Sequence, residues 1–138
     1  MRLLLDTNIF LEILLGQEQA TACRQILSMA DTHDLFISDF SLHSIGLALF
    51  RRNRFEAFES FVVDLFVNAG VGLLTLAVVD EMTRVSRIAQ RFALDFDDAY
   101  QYVLAERYGL HIVSLDADFD RTDKERQTPA QIASREMG

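Results

Sequence analysis

Cysteine, proline and glycine are all scarce in this chain, with one Cys, one Pro and six Gly in 138 residues. So little Pro and Gly excludes a collagen-like chain and argues against a disordered one. Cys23 is the lone thiol, so it cannot close an internal disulfide, and no second thiol is present to build a zinc cluster. It falls in a helix-like stretch and reads as a small core hydrophobe, a usage that fits a reducing cytoplasm. Long unbroken apolar runs are missing too. The opening Met1-Arg2-Leu3-Leu4-Leu5-Asp6 meets a charge too early for a signal peptide. The most apolar segment, Phe61 to Val79, is interrupted by Asp64, Asn68, Gly70 and Gly72. A membrane helix needs about 20 mostly apolar residues, so no membrane partner is expected.

Basic residues are also in deficit. Thirteen Lys and Arg against 21 Asp and Glu give a net charge of −8 and a pI near 4.7. This opposes a general nucleic-acid coat protein, which needs a broad basic face. It does not oppose a nuclease that gathers carboxylates around metal ions and leaves phosphate capture to the metals and a few arginines. Two local arginine clusters, Arg51-Arg52-Arg54 and Arg84-Arg87-Arg91, read first as solvated helix faces.

What the chain does have is apolar content: half of its residues are hydrophobic. That suffices for the core of a single domain spanning 1–138. Short apolar runs alternate with longer amphipathic ones, the pattern of an α/β domain with a parallel sheet. Leu3–Leu5, Leu35–Ile37, Leu73–Leu76 and His111–Ser114 read as strands. Helices are expected from Asp6 to about Leu15, Glu18 to Thr32, Ser41 to Phe50, Phe55 to Asn68, Val79 to Phe92 and Asp95 to Tyr108. Thr128–Ile132 is expected to add a short edge element. Right-handed crossovers then give a parallel sheet of four to five strands with helices on both faces.

In such a sheet ligands bind beyond the carboxyl ends of the strands. Asp6 follows the first strand directly, Asp116 follows the last strand after one residue, and Asp98 opens a helix that faces the same edge. Each alone has an ordinary explanation. Asp6 and Asp98 suit helix N-termini, and Asp116 suits a turn. Together they crowd like charges, which oppose one another's ionisation unless a cation intervenes. Oxygen-only ligands point to Mg²⁺ or Mn²⁺, ions that can activate water and brace a phosphodiester.

The run LLLDTNIFLEILL resembles the opening of PIN-domain nucleases, and DFDDAYQYVLAERYGLHIVSLDADFD resembles the second half of that family. The resemblance spans nearly the whole chain. It implies a PIN-like three-layer fold and the chemistry of a metal-dependent endoribonuclease, similar to the VapC-type toxin half of bacterial toxin–antitoxin pairs. By position, Asp6, Asp98 and Asp116 become metal-binding acids, with Asn8 and Ser114 as polar supports. Asp118 is a weaker candidate for the last acid. The implied partners are RNA, an antitoxin protein and a second copy of the chain.

One departure stands out. The family's Glu on the helix after the second strand falls here on Ser44, within Ser38-Asp-Phe-Ser-Leu-His-Ser44. A hydroxyl cannot replace that charge; Asp39 at the strand end is one alternative carboxylate, and Glu12 on the first helix is another that reads first as a surface charge. His43 precedes Ser44 and reads as a packed residue ahead of a ligand or proton donor. Two outcomes follow, a site competent with three acids or a catalytically silent PIN-fold module acting through protein or RNA binding. The stripe Phe55, Phe58, Phe61 and Leu65 reads as core or dimer contact rather than a base-stacking platform. Other phosphate chemistries fit less well. A phosphatase of the haloacid-dehalogenase type needs Asp where Asn8 stands, a receiver domain needs a later Lys after a strand, and no Gly-rich phosphate loop is present.

Overall fold

Leu3, Leu4 and Leu5 have no solvent exposure, as a strand covered on both faces requires. They form the central strand β1 (Arg2–Leu5) of the computed structural model, which describes residues 1–137. The other elements are α1 (Thr7–Leu14), α2 (Ala20–Leu27), β2 (Asp34–Ser38), α3 (Asp39–Arg51), α4 (Phe55–Val62), β3 (Gly72–Leu74), α5 (Val78–Phe92), α6 (Phe96–Tyr108), β4 (His111–Val113) and α7 (Pro129–Met137). A π-helical segment, Val63–Asn68, continues α4, and a 3-10 turn, Ala117–Arg121, follows β4. The sheet is wholly parallel in the order β3-β2-β1-β4, with Leu3 opposite both Leu35 and His111.

Side chains alternate across each strand, and this splits the core in two. Leu3, Leu5, Leu35, Ile37 and Val113 pack on one side with Ile9, Cys23, Ile26, Ile45, Phe61 and Ile132. Leu4 and Ile112, with Phe36 beside them, pack on the other side with Val85, Ile88, Val103 and Leu104. The result is the expected three-layer α/β arrangement. Cys23 is fully buried, and burial pushes its thiol up to about 11, consistent with a packing role.

Three elements differ from the sequence expectation. The second helix is confined to Ala20–Leu27, because Ser28 donates its hydroxyl back to the Gln25 carbonyl and turns follow. Strand β3 stops at Leu74, and two residues later the Leu76 N–H donates to the Tyr100 hydroxyl (3.1 Å) instead of to a strand. The expected edge element at Thr128–Ile132 is instead the start of α7, and among the described residues edge pairing is limited to a bridge between Gln127 and Val113. The reason is local. Thr128 and Gln131 exchange hydrogen bonds in a capping box (2.8 and 3.1 Å), and Pro129 sits at the first helical position.

The aromatic stripe divides as well. Phe61 and Leu65 enter the core, whereas Phe55 is half-exposed against Phe50. Among the described residues, no helix is long and apolar enough to cross a membrane.

Candidate metal centre

Parallel strands deliver the polar residues that follow them to one rim. At that rim the chain turns into helices whose first N–H groups need acceptors. Asp6 supplies one, accepting from the Thr7 N–H at the start of α1 (2.8 Å). Ser38 caps α3 through the Ser41 N–H (2.9 Å), and Asp95 caps α6 through the Asp98 N–H (2.9 Å). Asp116 caps the 3-10 turn through the Asp118 N–H (2.9 Å). The ordinary explanations thus hold in part: Asp6 caps its helix, Asp116 starts a turn, and Asp98 leaves the cap to Asp95 but does place its charge in the first turn of α6.

The same turns bring carboxylates together. One oxygen each from Asp98, Asp116 and Asp118 lie within 4.8 Å of one another. Asp6 is outside this close trio but within its field. Asp6 is buried, and burial is the main cause that raises its carboxyl above the usual range, against the opposing effect of its donors. Asp98 is pushed up to about 8, first by burial and then by the charges of Asp6, Asp95, Asp116 and Asp118. Like charges gathered around a buried Asp98 suit a cation. Oxygens bonded to one Mg²⁺ at about 2.0–2.1 Å lie at most about 4.2 Å apart, close to the spacing of the trio. The donor set is all oxygen, which fits a hard divalent ion.

Ser114 is the hub beneath these acids. Its buried hydroxyl donates to Asp6 Oδ2 (2.7 Å) and accepts from the Asp116 N–H (2.9 Å) and from Asn8 Nδ2 (3.2 Å). Asn8 also accepts from the Leu115 N–H (3.2 Å), tying α1 to the loop after β4. Asp118 pairs with Arg121 at 3.0 Å, and Arg121 donates in turn to the carbonyls of Phe92 and Ala93. Asp118 therefore already has a cationic partner, whereas Asp98 has none among the described residues.

The other sequence candidates lie elsewhere. Asp39 accepts from the Tyr100 hydroxyl (2.8 Å), and His43 is exposed; both line an open apolar groove of about 420 Å³ with Leu42, Gly46, Leu47, Phe50 and Phe58. Ser44 is half-buried on α3, one turn beyond Ser41. Arg84 and Arg91 pair with Glu106 and Asp123, in keeping with a solvated face.

Sequence reasoning missed Gln101. It is 2% exposed and donates to Asp6 Oδ1 (3.2 Å) and Ser41 Oγ (2.9 Å). Its signal was a polar residue one turn after Asp98 inside the apolar stretch Ala99-Tyr-Gln-Tyr-Val-Leu-Ala105. Ser41 is fully buried and also accepts from the Thr7 hydroxyl (2.8 Å), so α1, α3 and α6 meet in one network.

Comparison with known proteins agrees with this architecture. Similar solved structures include a toxin–antitoxin complex from Klebsiella pneumoniae (18% identity, TM-score 0.71, covering 91% of this chain and 96% of that one). VapBC2 from Rickettsia felis, bound to a DNA fragment from its promoter, matches at 12% identity and TM-score 0.75, covering 93% and 98%. VapC20 of Mycobacterium tuberculosis, described as a Sarcin-Ricin loop cleaving toxin, matches at 14% and 0.73, covering 91% and 98%. At these identities the likeness shows the fold. No curated protein sequence matches. The family model described as PIN domain matches residues 3–125. With most of its length inside that match, the chain is a member of the PIN domain family.

Proposed function

We propose that this protein is a Mg²⁺- or Mn²⁺-dependent endoribonuclease and the toxin component of a type II toxin–antitoxin system. The observation that carries this reading is the convergence of Asp98, Asp116 and Asp118 at the strand ends, with Asp6 beside them. Asp98 and Asp116, with Asp6, would hold the cation, and Asp118 would join them on release from Arg121. A bound divalent ion supplies activation of water and charge stabilisation for in-line attack on a phosphodiester. The chain's own residues do the rest. Ser114 and Asn8 fix the acids from below, and the crowding of carboxylates leaves Asp98 ready to exchange its proton for a metal. The toxin assignment draws further support from the neighbours, one of which is a toxin–antitoxin complex and another a Sarcin-Ricin loop cleaving toxin. The half-exposed Leu47, Phe50 and Phe55 offer apolar surface for an antitoxin or for a second copy.

The test is RNA cleavage by the purified chain in Mn²⁺, with Asp6→Asn and Asp116→Asn alongside. Loss of cleavage in both variants is expected, and full-rate cleavage by either would sink the assignment.

A second reading rests on Ser44. The position matching the family's Glu carries a neutral hydroxyl, and Asp39 is held by Tyr100. On this reading the chain is a silent module that binds RNA or protein. Robust metal-dependent turnover by wild type excludes it, whereas activity that appears only in Ser44→Glu supports it.

A further inference from the structure

Gln101 lies in the interior of α6, where every residue from Asp98 to Ala105 is buried. Its amide has one orientation compatible with its neighbours. Nε2 carries two hydrogens, and each has an acceptor, Asp6 Oδ1 at 3.2 Å and Ser41 Oγ at 2.9 Å. Rotating the amide by half a turn would set Oε1 against the Asp6 carboxylate. In the orientation adopted, Oε1 is buried and has no hydrogen-bond partner among the described residues. An unmatched buried carbonyl is unfavourable. The site therefore satisfies Asp6 at the expense of Gln101's own oxygen.

The effect on Asp6 is specific. Its Oδ1 accepts from the Thr7 N–H and from Gln101, while Oδ2 accepts from the Ser114 hydroxyl. Two donors fill the acceptor capacity of Oδ1 and leave the remaining capacity on Oδ2. All three donors are neutral, so they hold the carboxylate without cancelling its charge. Ser41 anchors the amide from its far side, and Thr7 and Ser38 crowd the same hydroxyl at 2.8 and 3.1 Å. The chain of contacts runs from the end of β2, through α3 and α6, to the end of β1.

We infer that Gln101 is a positioning residue for the metal centre: its amide, anchored on Ser41, clamps Asp6 Oδ1 and leaves the free acceptor capacity of Oδ2 for a cation. The inference rests on the metal-dependent reading above. Groups that orient metal ligands typically change affinity by about 10–100-fold when removed. A residue that acts through Asp6 should also lose its influence once Asp6 is changed.

The test is Mn²⁺ titration followed by electron paramagnetic resonance on wild type, Gln101→Met, Asp6→Asn and the double variant. Gln101→Met keeps the volume and removes the amide. Gln101→Asn, too short to reach both acceptors, serves as a second probe. Unfolding midpoints in EDTA report whether each variant is folded. Weakening of about tenfold or more is expected for both Gln101 variants, and less than twofold further weakening when Gln101→Met is added to Asp6→Asn. Unchanged affinity in Gln101→Met overturns the inference. Equal weakening with and without the Asp6 carboxylate overturns it too, since that is the mark of a packing role. A wild type with no saturable Mn²⁺ signal overturns the metal reading itself, and this inference with it.

Discussion

At Asp98 charge and burial are in conflict. Its carboxyl is pushed from an ordinary value near 3.8 to about 8 by burial and by its acidic neighbours. A folded-state pKa above the unfolded one means that the native state holds the extra proton between those values. Without metal, stability should fall as pH rises from about 4 to about 8. Asp98→Asn should flatten that decline in EDTA, as read from unfolding midpoints across the pH series, while removing Mn²⁺ binding. An unchanged slope would show that Asp98 ionises freely in the fold. Ser114 poses the complementary case. Ser114→Ala strips a donor from Asp6 and an acceptor from Asp116 and Asn8, and a loss of about 1–3 kcal/mol is expected in chemical denaturation. At this scale the placement of Asp6, Asp98 and Asp116 at one rim was legible because each follows a strand or opens a helix. Gln101 was not, because its role depends on the two acceptors that the fold brings to its amide.

The helices and strands were legible where apolar periodicity was strong. Leu3–Leu5 as a buried strand and the helix over Val79 to Phe92 could be read directly. Boundaries set by single hydrogen bonds could not. The stop of β3 at Leu74 coincides with the turn of the Leu76 N–H to the Tyr100 hydroxyl, a contact 24 residues away in sequence. The start of α7 was available in the run Thr128-Pro-Ala-Gln131, whose capping chemistry outweighs its modest apolar content. Helix α5 ends on Ala93 at φ 55°, ψ 46°, a left-handed cap without glycine. Ala93→Gly should relieve that strain and stabilise the fold by about 0.5–1 kcal/mol, measured as a shift in denaturation midpoint. Destabilisation would mean that the Ala93 methyl contributes more than its backbone strain.

For the whole molecule, the sheet order β3-β2-β1-β4 puts β1 and β4 side by side, so residues more than 90 positions apart in the chain meet at one rim. A cation held there cross-links the ends of β1, β4 and α6 and should bind the native state only. At a concentration about 100 times its Kd it would stabilise the fold by about 2.7 kcal/mol. For a chain of this size that is a rise of roughly 5–10 °C in melting temperature. EDTA should reverse the rise, and Asp98→Asn should abolish it. A rise that survives in that variant would place the ion elsewhere. The central claim, that these acids form a working metal centre, is tested most directly by one paired measurement. Mn²⁺ is titrated calorimetrically into wild type and Asp116→Asn, and RNA cleavage is followed in the same samples. Saturable binding and cleavage in wild type, both lost in Asp116→Asn, is the expected result. Cleavage by Asp116→Asn at the wild-type rate, or the same binding isotherm in both proteins, would contradict the claim.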